Sequence, residues 1–177
     1  MATNVVEAEA SEDETTGEAE TGETAATITV TAHLRASPTG AAARRQQAVL
    51  ERLRAFEAEG TVPDLRIERV GSRVNVPAAE DDVADADAVA LYEELEAVAD
   101  SAGLQLEPFF ESRKAVGGLL SAGPPTQRII VFPVVSLTIR RDGDLVGLYP
   151  CWSDGVHESV ESCLDALASG DDAANLG

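Results

Sequence analysis

Residues 128–151, RIIVFPVVSLTIRRDGDLVGLYPC, are the stretch that decides the fold. Two runs rich in β-branched residues flank Asp142 and Gly143, and an Asp-Gly dipeptide between such runs is a strong signal for a β-hairpin. The first run is almost continuously apolar over residues 129–135, which predicts a central strand covered on both faces. The stretch therefore predicts a hairpin at the centre of a β-sheet.

Two further strands are predicted upstream of this hairpin. Residues 27–35, TITVTAHLR, alternate apolar and polar side chains, which is the pattern of a half-buried strand. Residues 64–76, DLRIERVGSRVNV, alternate in the same way but are interrupted at Gly71 and Ser72. These two residues either turn a tight hairpin or mark a bulge in one long strand, and the sequence is compatible with both.

Three helices are predicted from apolar residues that recur with helical spacing. The first lies within residues 36–60 and stops at Gly60, a residue type that commonly follows the end of a helix. The second lies within residues 78–103. The third lies within residues 155–169, which places His157 in its first turn.

Residues 104–116 have two interpretations. The segment VADSAGL, residues 98–104, is typical of the first helix and turn of a helix-turn-helix, in which case a recognition helix follows. Pro108 and the alternation of Leu104 and Leu106 instead favour a short edge strand. A helix in this place favours DNA binding, and a strand favours a module that binds a ligand or a protein.

Together these elements predict one α+β domain over residues 27–168, in which a mixed β-sheet carries helices on one face in the order β-α-β-α-β-β-β-α. Residues 117–127 are a loop by their glycine and proline content. Residues 1–26 are acidic and almost lack large apolar groups, so they are expected to form a disordered acidic tail. Residues 169–177 are expected to form a flexible C-terminal tail.

Acidic residues dominate the composition, with 32 Asp and Glu against 13 Lys and Arg and a formal net charge of −19. This balance resembles the proteins of extreme halophiles, whose acidic surfaces stay hydrated in molar salt. No run of 18 or more apolar residues predicts a transmembrane helix, and residues 1–20 lack the basic and apolar regions of a secretory signal. The sequence therefore predicts a cytoplasmic protein of a halophile that does not bind membranes.

Both cysteines lie in the stretch CWSDGVHESVESC, residues 151–163, together with one of the two histidines. A zinc site commonly needs four ligands with closer pairing, so neither a metal nor another cofactor is predicted. Cys163 falls on the apolar stripe of the last helix, where a free cysteine packs as a small hydrophobe. The remaining alternative is a redox-sensitive thiol at Cys151.

Candidate contacts to an anion or to nucleic acid come from the arginine-rich segments. The loop before the first helix can bind an anion because free N–H groups and the helix dipole both point there. The alternatives are an ordinary helix cap and arginines that pair with the acid-rich helix at residues 80–100. The candidate contact residues are Thr39, Arg44, Arg45, Arg52, Arg113 and Lys114.

Several segments carry a resemblance to a known group of proteins. RASPTGA at residues 35–41, RQQAVLERL at 45–53, GLQLEPFFESR at 103–113 and DGDLVGLYPC at 142–151 resemble short haloarchaeal proteins labelled helix-turn-helix (HTH) domain proteins. The resemblance covers residues 27–168 and implies a transcription regulator. It transfers no catalytic residue to this chain.

Two functional hypotheses follow. The first is a non-enzymatic regulator of transcription, whose partners are DNA and a protein partner or a second copy of the chain. The second is an α+β module that binds a protein or a ligand without contacting DNA. An enzyme is not expected, because the sequence offers no convergent set of acid, base and nucleophile.

Overall fold

The computed structural model describes residues 26–76, 83–114 and 128–176. In chain order, the helices and strands are β1 (Ile28–Arg35), α1 (Gly40–Glu59), β2 (Asp64–Val70), β3 (Val74–Val76), α2 (Val83–Ala102), β4 (Leu104–Gln105), β5 (Glu111–Lys114), β6 (Arg128–Val131), β7 (Val135–Arg141), β8 (Asp144–Tyr149), β9 (Cys151–Ser153), β10 (Val156–Glu158) and α3 (Val160–Ser169). The α+β fold class predicted from the sequence is confirmed.

The largest sheet has the strand order β2-β1-β7-β8. Strand β1 pairs in parallel with β2 and antiparallel with β7, so the sheet is mixed. Strands β7 and β8 form the predicted hairpin, and Asp142 and Gly143 both have positive φ angles, 54° and 94°. Positive φ at both central residues defines the type I′ turn, which matches the twist of the strands and which an Asp-Gly pair adopts readily.

One face of this sheet packs against α1 and α3. Every second residue of β1 enters this core, as the alternation predicts, and Leu53 of α1 and Leu164 of α3 cover it from above. Buried side chains of β1 and β7 form the floor of this core: Val30, Ala32, Leu34, Val135, Leu137 and Ile139.

The other face of the same sheet carries α2, so the prediction of helices on one face is wrong. Leu148 and Tyr149 are consecutive on β8 and therefore point to opposite faces. Tyr149 belongs to the core under α1 and α3, whereas Leu148 belongs to a second core formed with Tyr92 and Leu95 of α2. The sequence shows which residues of each helix are apolar, but it does not determine which face of the sheet each helix covers.

Two small sheets complete the second core, with the strand orders β3-β6-β5 and β10-β9-β4. The chain leaves the main sheet at the end of β2, and β3 follows Gly71 and pairs with β6, so residues 64–76 form neither a hairpin nor one bulged strand. Residues 129–135 likewise divide between β6 and β7, which lie in different sheets. Strand β7 alone is the central strand that the sequence predicts, and residues 135–139 are all buried.

The last helix begins later than the sequence predicts. Residues 156–158 form β10, and α3 starts at Val160 because the side chain of Ser159 accepts a hydrogen bond from the N–H of Ser162. His157 therefore lies on a strand, where its ring stacks on Phe109 with a centroid distance of 4.7 Å. Val156 and Val160 are four residues apart, a spacing that favours a longer helix, but Val156 is 59% exposed and lies on β10.

Residues 170–176, expected to be part of a flexible tail, lie along β8. The side-chain carboxamide of Asn175 binds both backbone groups of Leu148. Its Nδ2 donates to the carbonyl of Leu148 at 2.9 Å, and its Oδ1 accepts from the N–H of Leu148 at 2.9 Å. The hydroxyl of Tyr149 donates to the carbonyl of Ala173 at 2.8 Å. A Cβ placed on Gly147 would lie 2.8 Å from that same carbonyl, so this glycine permits the close approach.

The predicted acidic tail and the loop at residues 117–127 lie outside the described residues. Within the ranges that the structure covers, no helix is both long enough and apolar enough to cross a lipid bilayer.

Candidate functional site

The arginines predicted from the sequence lie on two separate elements. Arg44, Arg45 and Arg52 lie on α1, whereas Arg113 and Lys114 lie on β5 of a small sheet. Thr39 occupies the N-cap position of α1, but its side chain makes no capping hydrogen bond. Arg44 and Lys114 are exposed.

Three of these arginines have carboxylate partners. Arg45 donates two hydrogen bonds to Glu161, at 3.1 and 3.0 Å. Arg52 donates to Asp165 at 2.8 Å, so both arginines bridge α1 to α3 rather than to the acid-rich helix α2. Arg113 pairs with Glu111 on its own strand. The pairs partly neutralise the positive charge that the sequence suggested for a DNA contact.

Residues 104–114 do not form a recognition helix. Helix α2 ends at Ala102, Gly103 follows with a φ of 73°, and the chain continues as β4. A turn then leads into β5, which pairs with β6 in a different sheet. The interpretation of this segment as β-strand is thus confirmed, although the structure has two short strands where the sequence predicts one. Across the described ranges, each of α1 and α2 is followed by a strand and α3 is preceded by one, so no two helices are consecutive.

The two cysteines lie on opposite faces of the main sheet. Cys163 belongs to the core under α1 and α3, as predicted, and Cys151 belongs to the core under α2. Both are free and fully buried, and burial raises the pKa of the Cys151 thiol to about 11. A thiol held in its protonated form is a poor nucleophile. Within the described residues, no cluster of three or more His, Cys, Asp and Glu side chains could hold a metal ion.

A polar cleft of about 730 Å³ lies between α2 and the second face of the main sheet. The polar positions of β1 line its floor, because their alternation turns them away from the core under α1. Strands β2 and β7 extend the floor on either side of β1, and α2 forms one wall. The lining side chains of the sheet are Thr27, Thr29, Thr31, His33, Arg66, Glu68, Thr138 and Arg140.

His33 lies at the inner end of this floor and is only 3% exposed. Its Nε2 atom lies 3.0 Å from the hydroxyl oxygen of Thr138 on the neighbouring strand. Its Nδ1 atom lies 3.2 Å from Oε2 of Glu68, whose side chain is about half exposed, and this is the polar contact shown for Nδ1 among the described residues.

The charge state of His33 follows from its position. Burial is the largest effect and lowers the pKa of the imidazole below its usual value, whereas the carboxylate of Glu68 opposes this shift. Arg140 on the adjacent strand also lowers this pKa. At neutral pH His33 is therefore a neutral imidazole, which can both donate and accept a hydrogen bond.

Ion pairs hold the mouth of the cleft. The Nη2 atom of Arg140 lies 2.6 and 2.7 Å from the two carboxylate oxygens of Glu94, which ties β7 to α2. Arg66 donates to Asp64 at 3.2 Å, and the same carboxylate accepts from the hydroxyl of Thr29 at 2.9 Å. Both arginines in the lining are thus paired with carboxylates.

The lining is acidic overall and rich in hydroxyl groups. Its two arginines, each ion-paired, face the carboxylates of Glu68, Asp87, Glu94 and Asp142. Such a lining favours small neutral or cationic molecules that carry hydrogen-bonding groups, and it disfavours anions. The sequence predicted none of these residues as a site, since the alternation of Thr29, Thr31 and His33 is the same for a strand facing water and for a strand facing a cleft.

The fold and the cleft define a small α+β protein with a polar pocket between its sheet and one helix. The chain belongs to a family described as a helix-turn-helix domain, whose model matches residues 22–172. Neither the curated proteins nor the solved structures include one that matches the chain significantly.

Proposed function

We propose that this chain is a non-enzymatic regulatory protein of the haloarchaeal cytoplasm and that its domain binds a small polar ligand in the cleft over His33. Membership of the helix-turn-helix domain family supports a regulatory role. The observation that carries the ligand proposal is the cleft of about 730 Å³ itself, whose floor consists of hydroxyl-bearing side chains and the almost fully buried imidazole of His33.

The conformation of residues 104–114 argues against the usual way in which a helix-turn-helix protein reads DNA. That mode requires a second helix that enters the major groove. In this chain the residues after Gly103 pair as strands with β9 and β6. The two pairs that tie Arg45 and Arg52 to α3 also occupy arginines that a phosphate backbone would need. A regulatory signal received in the cleft would reach DNA through another surface or through a protein partner.

The chemistry of the cleft defines the class of ligand. Thr31 offers a hydroxyl without a hydrogen-bond partner among the described residues, and the neutral imidazole of His33 adds a donor or an acceptor. The surplus of carboxylates in the lining disfavours a phosphate or carboxylate ligand on electrostatic grounds. A small polyol, amide or amine can form hydrogen bonds with these groups and carries no negative charge, so it belongs to the proposed class of ligand.

A ligand screen tests this proposal. A panel of small compounds, grouped into cations, neutral polar molecules and anions, is tested for binding in molar KCl by saturation-transfer NMR. We expect binders among the cations and neutral molecules. Thr31→Val removes a cleft hydroxyl with almost no change in shape, and it should weaken binding by at least about fivefold, equivalent to roughly one hydrogen bond.

Thr61→Val is the matched control, because Thr61 is exposed and lies outside the cleft lining. It should bind like the wild type. A panel without any binder, or binders that bind Thr31→Val as tightly as the wild type, would contradict the proposal. Binders drawn only from the anions would contradict the proposed ligand class.

A further inference from the structure

Strand β2 forms one edge of the main sheet in the part of the chain that the structure describes. Among the described residues only β1 pairs with it, so within this part of the chain the backbone groups on its outer side are available to another strand. Its middle residue, Ile67, is 41% exposed, although it is a large β-branched hydrophobic residue. Exposed β-branched residues on an unpaired edge are the usual starting point for pairing with a second strand.

The sequence of β2, DLRIERV, is complementary to itself around Ile67. In an antiparallel pair of two copies with the two-fold axis at Ile67, all seven residues of the strand find a partner. Arg66 of one copy then lies directly opposite Glu68 of the other, and the symmetry makes a second such pair. Opposite charges in direct cross-strand positions stabilise an antiparallel pair.

Neighbouring registers lack this complementarity. A two-fold axis at Arg66 or at Glu68 places two identical charges opposite each other, which destabilises the pair. A shift of the axis to Leu65 pairs only residues 64–66 within the strand, so it forms fewer backbone pairs than the register centred on Ile67. The register centred on Ile67 is thus the one that the charges select.

We infer that the protein forms a two-fold homodimer through antiparallel pairing of its β2 strands, centred on Ile67, which joins two main sheets into one. Arg66 and Glu68 both line the cleft face of the sheet. The dimer therefore places the mouths of two clefts side by side across the two-fold axis. The inference is independent of the proposed ligand, because it rests on the strand edge and its charges.

Cysteine cross-linking tests the register. Both native cysteines are fully buried, so they give little background. In either type of antiparallel position, the Cα atoms of two directly opposed residues are about 4.5 or about 5.5 Å apart, which a disulfide spans. Ile67→Cys should therefore form a covalent dimer on mild oxidation. Val156→Cys, at an exposed hydrophobic position on β10, is the control and should remain largely monomeric.

Charge exchange tests the pairing without a covalent bond. Arg66→Glu alone and Glu68→Arg alone each create like-charge pairs across the axis, and each should be monomeric by sedimentation equilibrium where the wild type is a dimer. An equal mixture of the two variants restores both opposite-charge pairs and should form a heterodimer. The measurement uses the lowest KCl concentration that preserves the native circular dichroism spectrum, because salt screens the charges.

Each outcome is decisive. A wild type that sediments as a monomer, together with equal cross-linking of the two cysteine variants, would overturn the dimer. Single charge variants that dimerise as well as the wild type, or a mixture that stays monomeric, would overturn the register centred on Ile67.

Discussion

The imidazole of His33 lies 3.0 Å, Nε2 to Oγ1, from the hydroxyl of Thr138, across the antiparallel pairing of β1 and β7. This contact fixes the ring on the floor of the cleft, and the Nδ1 atom of the same ring lies 3.2 Å from Oε2 of Glu68. Because the ring is neutral and buried, its protonation is coupled to folding.

The stability of the protein should fall as the pH drops below the usual pKa of histidine. The pKa of His33 is lowered in the folded state, so the unfolded state binds more protons once the pH falls through about 6.5. The stabilising contribution of the neutral ring is therefore complete above that value and is lost progressively below it. Thermal unfolding from about pH 7.5 to about pH 5.5 measures the loss.

His33→Phe should reduce this pH dependence, whereas His157→Gln should retain it because His157 is exposed. A wild-type midpoint that stays constant over this range, or that rises as the pH falls, would be inconsistent with a buried neutral imidazole.

The two cysteines should respond differently to replacement by serine. Cys163 is fully buried, and no hydrogen-bond partner is shown for it among the described residues, so Cys163→Ser should cost about 1–2 kcal/mol of unfolding free energy. Cys151 is equally buried, but its Sγ already donates to the carbonyl of Leu148 at 3.3 Å. A serine hydroxyl can keep that hydrogen bond, so Cys151→Ser should cost less. Urea unfolding of both variants measures the difference, and an equal or larger cost at Cys151 would refute this reasoning.

Asn175 should contribute measurably to stability although it lies close to the C-terminus. Its side chain makes hydrogen bonds to both backbone groups of Leu148, so Asn175→Ala removes the side-chain acceptor of the Leu148 N–H and one of the two donors to its carbonyl, and it should cost about 1–2 kcal/mol. Asn75→Ala is the control, because Asn75 is exposed and its side chain makes no hydrogen bond within the described residues. Equal stability of the two variants in urea unfolding would mean that residues 170–176 do not hold β8.

Sequence-specific DNA binding by the isolated chain should be absent in molar KCl. The electrostatic part of DNA affinity is largely lost at that salt concentration, because the screening length is about 3 Å at ~1 M. Base contacts would then have to come from a recognition helix, and residues 104–114 form strands and a turn instead. Selection of bound genomic fragments, with the wild type and an Arg44→Ala/Arg45→Ala variant, tests this. A palindrome enriched by the wild type and lost in the variant would restore direct DNA binding.

Local signals in the sequence predicted much of the fold. Asp142 and Gly143 determine their hairpin through backbone conformations that few other residue pairs adopt, and Gly60 and Gly103 follow the ends of α1 and α2 as expected. The pairing of strands that are distant in the sequence was harder to predict. Nothing local in residues 64–76 indicates that β2 and β3 join different sheets, since both have the same alternation.

The start of α3 was missed for a similar reason. Apolar spacing continues backward from Val160 to Val156, whereas the capping hydrogen bond at Ser159 is a detail that spacing alone does not report. The cleft was missed because its floor needs α2 on the second face of the sheet, and the sequence does not fix that placement. The polar positions of β1 were visible, but their common orientation toward a cavity was not.

The central claim is that the cleft over His33 is the functional site. Its most direct test is a titration of the wild type in molar KCl with the strongest non-anionic binder from the screen. NMR follows the ring signals of the two histidines during the titration. A His157→Gln sample assigns the two sets of signals. The account predicts that the ring signals of His33 move with saturation while those of His157 stay in place, and that Thr31→Val weakens the response. Ring signals of His33 that remain unchanged at saturating ligand, or that move only together with those of His157, would contradict it.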